Sequence, residues 1–153
     1  MATSKVTLSW GKPKIEVKKL GSSPGEWQSF ATPVEGTTQL STTQGNKMEA
    51  KIEGGENEAV KYKKNTYQLV FNVRQAPERT DPIVDADGIV EDEYSIRVTP
   101  ENAKALGILI DRASVNVQKT YDVEGGLIKV YTCDVLVAET GDAVKIQVIS
   151  PEE

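Results

Sequence analysis

Histidine is absent from all 153 residues. That absence excludes Ser-His-Asp and Cys-His catalysis, imidazole general bases and His-based zinc sites. Cysteine occurs once, at Cys133, so no disulfide can form within the chain. Aromatic residues make up 6% and hydrophobic residues 38%. No run approaches the roughly 20 apolar residues of a membrane-spanning helix. The opening MATSKVTLSW lacks the apolar core of a secretory signal. The expected setting is a reducing cytoplasm. Phosphate-binding signatures are also missing. No Walker Lys-Ser/Thr follows the glycine pairs at 54–55 and 125–126, and no G-x-G-x-x-G occurs. Those glycines are read as turns. The expectation is a protein that is not an enzyme, with no cofactor and no metal.

What the chain does have is acid. The net charge is −5 at pH 7 and the sequence pI is 4.9. A non-specific nucleic-acid binder needs clustered Lys and Arg to displace counterions from phosphates, and the overall balance opposes that. The charge falls in blocks. An N-terminal arm, residues 1–20, carries Lys5, Lys12, Lys14, Lys18 and Lys19 against Glu16, a balance of +4. Residues 77–93 carry Glu78, Asp81, Asp85, Asp87, Glu91, Asp92 and Glu93 against Arg79, a balance of −6. With Pro77, Pro82 and Gly88 the second block reads as a long exposed acidic loop, a feature that in compact domains is functional or disordered. The lysines suit a protected edge strand or an arm that docks on an acidic neighbour.

Strands dominate the pattern. Tyr67, Leu69, Phe71, Val73 and Gln75 alternate with polar residues, the period of two of a half-buried strand. Val6, Leu8 and Trp10 predict a first strand, and Ile15 and Val17 a second after the Gly11–Pro13 break. Trp27, Phe30 and Val34 mark an irregular edge. Residues 37–43, a turn at Gln44-Gly45-Asn46, and residues 47–53 read as a hairpin. Glu56 to Lys64 reads as a loop or short strand around Val60 and Tyr62. Tyr94, Ile96 and Val98 form another strand. Thr99 as cap and Pro100 at the first helical position predict a helix to Arg112, with Ala103, Leu106, Ile110 and Ala113 in one stripe and Leu109 beside it. A three-stranded meander closes the chain, through Val115–Val123, Leu127–Glu139 and Val144–Val148, with a turn at Thr140-Gly141-Asp142 and a frayed tail from Pro151. The fold class expected is mainly β: an antiparallel β-sandwich or partly closed barrel with one flanking α-helix, about residues 100–112, in a single domain over 1–153.

Candidate chemistry is thin. Asp85-x-Asp87-Gly88 matches three positions of an EF-hand loop, but Ile83 and Tyr94 then fall at ligand positions and cannot coordinate. Carboxylate pairs such as Asp85 with Asp87, or Glu91 with Glu93, are not preorganised for glycoside chemistry in a loop. Cys133, in an apolar strand, reads as a buried structural thiol. Trp10, Trp27 and the tyrosines have the faces to stack on bases or sugars, but without a basic groove they read as core or interface residues.

The stretch TPVEGTTQLSTTQGNKMEAKIEGGENE, followed by NTYQLVFNVRQA, resembles the long hairpin region of bacteriophage major tail tube proteins. The capped segment from Thr99-Pro100-Glu101 and the closing meander extend that resemblance, which runs from about Thr32 onward. The type VI secretion tube protein has a similar fold. The resemblance implies a virion structural protein made in the bacterial host cytoplasm. Six copies would form a ring, rings would stack as a tube, and DNA would pass through without being held. Its partners would be itself and other tail proteins, with no membrane anchor. An acidic chain with polar strand faces suits such a conduit. The opposite charge blocks suggest inter-subunit contacts between Lys12, Lys14, Lys18 and Lys19 on one side and Asp85, Asp87, Glu91, Asp92 and Glu93 on the other. The competing reading is a β-sandwich binding or adhesion module for carbohydrate or protein, recognising its target through aromatics or the acidic loop.

Overall fold

The computed structural model describes residues 6–21, 25–102, 104–138 and 141–149. Lys5, Ala103, Glu139, Thr140 and the tail from Pro151 lie outside the described residues. The described residues form ten strands: β1 (Lys14–Lys19), β2 (Gln28–Ser29), β3 (Gln39–Thr43), β4 (Lys47–Lys51), β5 (Asn57–Tyr62), β6 (Thr66–Arg74), β7 (Ile89–Thr99), β8 (Leu106–Asp122), β9 (Gly126–Val135) and β10 (Val144–Val148). All pairings are antiparallel. The main sheet runs β2-β1-β7-β8-β9-β6-β3, with β10 also on β8; β4 and β5 form a separate ribbon.

Alternation explains the core. Leu69, Phe71 and Val73 of β6 face inward beside Tyr131 and Cys133 of β9, and Val115 and Val117 of β8 continue the same buried surface. Ile15 and Val17 of β1 pack with Ile96 and Val98 of β7. The sheet then curls. Phe30, just beyond β2 at one edge, reaches Phe71 and Tyr131 near the other, with ring centroids 5.1 and 4.8 Å apart. Residues 30–38 span the gap. Phe30 N–H donates to Ile15 O at 3.0 Å, and Val34 N–H donates to Asn72 O at 2.8 Å. Among the described residues no ladder joins β2 to β3, so the sheet is not a closed barrel.

The flanking α-helix expected over about 100–112 is not found; the described residues contain no helix. Thr99 ends β7, a turn closes with Ala105 N–H on Asn102 O, and β8 starts at Leu106. The helical stripe was an imitation. Tyr94 pairs with Ala113, but Ile96 pairs with Ile110, so Ser95 alone opposes Asp111 and Arg112. That β-bulge places Ile110 and Ala113, three residues apart, both at 0% exposure on one face. Gly107 and the β-branched Ile108 and Ile110 favour the strand. A Cβ at Gly107 would come within 2.5 Å of Val98 O and 2.6 Å of the Ile149 side chain.

Three strand expectations also change. Residues 6–10 form no strand, and Trp10 stands exposed. β10 does not pair with β9: β9 covers β8 only from Ala113 onward, and β10 fills the same edge over Leu106–Ile110. The Gln44-Gly45-Asn46 turn does not fold β4 back on β3. β3 pairs with β6 and β4 with β5, so residues 39–74 form one long ribbon kinked at Gly45. A Cβ there would collide with the Lys63 carbonyl. The reversal comes at Gly54 and Gly55, both at positive φ.

Replacing Phe71 with Ala is expected to cost about 3–5 kcal/mol, while Met48→Ala on the exposed ribbon stays within about 0.5 kcal/mol. Urea midpoints at constant slope measure both.

Candidate assembly surfaces

The basic arm and the acidic segment meet within one chain. β1 lies on the edge of β7, in register from Lys14↔Thr99 to Lys19↔Tyr94, and residues 89–93 belong to β7 rather than to a loop. Lys19 Nζ bridges Asp92 at 3.4 Å. Lys14 approaches Glu16 at 3.6 Å. Glu93 takes a forked pair from Arg112 at 3.1 and 3.2 Å. Asp85 turns inward, its side chain 3% exposed, 3.9 Å from Lys129 and accepting the Gly88 N–H at 2.8 Å. Asp87 and Gly88 both have positive φ and form the tight turn between Ala86 and Ile89. Among the described residues Lys12, Lys18, Asp87 and Glu91 form no ion pair.

Glu16 and Arg97 lie on the face opposite the core, yet both are buried. Arg97 Nε donates to Glu16 Oε1 at 2.6 Å, and its guanidinium sits 4.4 Å from the centre of the Trp27 ring. The aromatic cover removes water, which makes the pair interdependent. Burial alone would raise the Glu16 carboxyl; the Arg97 hydrogen bond and charge, helped by Lys14, outweigh it and hold the group below its usual 4.5.

A second surface is the β4–β5 ribbon, exposed along both strands. It carries Met48, Ile52, Val60 and Tyr62, all 43–52% exposed. Met48 lies on one face, with Val60 and Tyr62 on the other. Lys47, Glu49 and Lys51 pair along one strand at 2.6 and 3.7 Å. A lone two-stranded hairpin is marginally stable in water, so this one has apolar contacts to gain.

A third surface is the outer face of β3-β6-β9-β8. The registers set Gln39, Ser41 and Thr43 beside Thr66, Gln68, Val70 and Asn72; then come Val130 and Thr132, then Asn116 and Gln118. The charges on this face of the four strands are Arg74, Asp134 and, at the end of β8, Asp122, and Gln68 donates to Asp134 at 3.0 Å. In a chain that is 27% charged, such a face is close to neutral and rich in hydrogen-bonding groups.

A groove of about 640 Å³ separates residues 9–13, 32–38 and 98–108, walled by Pro13, Pro33, Val34, Leu106 and Ile108. It gathers no convergent titratable set. Among the described residues no group of three or more His, Cys, Asp or Glu could hold a metal. Burial, with Asp134 adding, pushes the Cys133 thiol up to about 12, so it is inert as a nucleophile.

No family model matches the chain, and no curated protein does. Its fold is matched among solved structures. One matching chain comes from a cryo-EM structure of an extracellular contractile injection system, described as the PVC sheath/tube terminator in its extended state. The TM-score is 0.59 at 11% identity, covering 95% of this chain and 99% of that one. The likeness is one of fold. It carries nothing specific to phage.

Residue types alone missed two clusters. One is Glu16, Arg97 and Trp27. The other is Asp81, Asp85, Lys129 and Tyr131, whose signal was phase: Lys129 keeps the inward register of Tyr131 and Cys133.

Glu16→Gln is expected to cost about 1–3 kcal/mol at pH 7, because Arg97 loses its counter-charge. A depressed folded pKa stabilises above the unfolded value of 4.5 and loses that contribution as pH falls through the lower folded value. The gap between wild type and variant therefore closes in acid, as urea midpoints at pH 7 and pH 3 will show.

Proposed function

We propose that this chain is a structural subunit of a tail-tube-like particle, assembling as rings that stack into a conduit. The observation that carries the reading is the β4–β5 ribbon. It projects as a separate two-stranded sheet, with apolar residues on both faces. A neighbouring copy would supply the surface that a lone hairpin lacks. Closed rings need two different complementary patches on each subunit, and the ribbon and the curled body are unlike surfaces. The fold likeness to a chain from a contractile injection system supports the same class of assembly.

The neutral face of β3-β6-β9-β8 is the natural lining. Thr, Gln, Ser and Asn offer hydrogen bonds without the cation clusters that would trap phosphates. DNA in passage, not held, is the cargo that fits an acidic chain. Lys12 and Lys18 on and before β1, with Asp87 and Glu91 on and before the neighbouring β7, are the charges available to set register between copies. Lys14, Lys19, Asp85, Asp92 and Glu93 serve that contact less directly, through their pairs within the chain.

Replacing residues 47–62 with a short Gly-Ser link tests the ribbon. The expected variant keeps its β-rich circular dichroism and cooperative melting but forms no rings or tubes in negative stain, while the full chain does. A full chain that stays monomeric by light scattering at every concentration and salt would defeat the proposal. Amide exchange gives a second check. Residues 47–62 exchange fast in the subunit and slowly in the assembly, whereas 69–73 are protected in both.

A further inference from the structure

Lys129 stands where an amine is least expected. It follows the inward phase of Tyr131 and Cys133 on β9 and pairs in register with Val73 of β6. The strap between β6 and β7 folds back toward it, anchored by Ile83 at 1% exposure. From that strap Asp81 Oδ2 comes to 3.2 Å from Lys129 Nζ, and Asp85 Oδ1 to 3.9 Å. The three side chains are 21%, 14% and 3% exposed in that order. The remaining Asp85 oxygen is fixed by the Gly88 N–H. The Tyr131 hydroxyl is fully buried and has no hydrogen-bond partner among the described residues. Burial, and then the charges of Asp81 and Asp85, raise its pKa far above the ordinary phenol value.

We propose that Lys129 and Asp81 condense into an intramolecular isopeptide bond, with Asp85 as the proton carrier. In the reacting pair one proton has passed from the Lys129 ammonium to the Asp81 carboxylate, across the 3.2 Å between them. Lys129 Nζ then attacks Asp81 Cγ. The N–C bond forms, Asp85 takes the second amine proton and returns it to the departing hydroxyl, and the C–O bond breaks. One water leaves. No electrons are exchanged and no co-reactant is required. The fold supplies proximity, the term that makes such condensations proceed between held groups and not between free ones. The product would fasten the strap covalently to the centre of the sheet.

Intact-mass spectrometry of the full chain tests this directly. The expected protein is lighter than its sequence by one water, and its digest contains a branched peptide joining the segments around Asp81 and Lys129. Lys129→Arg should restore the full mass. Asp85→Asn, which keeps both reacting groups, should form the link about 100-fold more slowly or worse. A wild-type mass equal to the sequence overturns the proposal, leaving an ion pair only. A water loss that persists in Lys129→Arg also overturns it, because it then comes from ring closure at Asp87-Gly88. Linkage at an unchanged rate in Asp85→Asn removes the proton-carrier role.

Discussion

Three rings hold the sheet in its curl. Phe30 leans on Phe71 and Tyr131, which stack on each other at 5.2 Å. The sequence has only two phenylalanines, and both are spent here. Phe30 comes from one edge of the sheet and the other two rings from strands toward the opposite end, so their contact gives the open sheet a single interior without a closing ladder. Aromatic pairs in such geometry add about 0.5–1.5 kcal/mol beyond the area they bury. The crossing segment 30–38 satisfies its backbone groups on both sides of the gap, which a buried connection requires.

With the core closed by few large side chains, the remaining surfaces are free to specialise. Charge is concentrated at the β1–β7 edge and on the strap before β7, where most of it is paired within the chain. The four-stranded outer face is nearly free of it. The buried Glu16–Arg97 pair under Trp27 ties β1 to β7 at the place where β2 also pairs with β1. These are differences between the two faces of one continuous sheet, made by alternate residues of the same strands.

Much of this organisation was legible as alternation. Leu69, Phe71 and Val73, and Tyr94, Ile96 and Val98, announced their strands and their inward faces. The helix over 100–112 was misread because a bulge at Ser95 reproduces, on a strand, the spacing of a helical stripe; period alone cannot separate the two. Gly45 carries the local signal of a reversal, yet it only lets the chain pass close to Lys63. Long-range pairing was invisible throughout. Sequence showed blocks of opposite charge, but not that Lys19 meets Asp92 or that Asp85 turns inward to Lys129. It showed Cys133 in an apolar strand, but not that Lys129, four residues earlier, shares the same inward register.

The kink at Gly45 separates two timetables. Beyond it the ribbon lies outside the hydrophobic core cluster, so the body can fold to completion while residues 47–62 remain uncommitted. A ribbon that was part of the core would have to order before the subunit was soluble, and its apolar residues would be hidden from any neighbour. As built, the finished fold leaves the apolar residues of the ribbon exposed on a limb that contributes nothing to the interior. In the proposed assembly, folding and joining would draw on different residues, and a change that weakens one need not weaken the other.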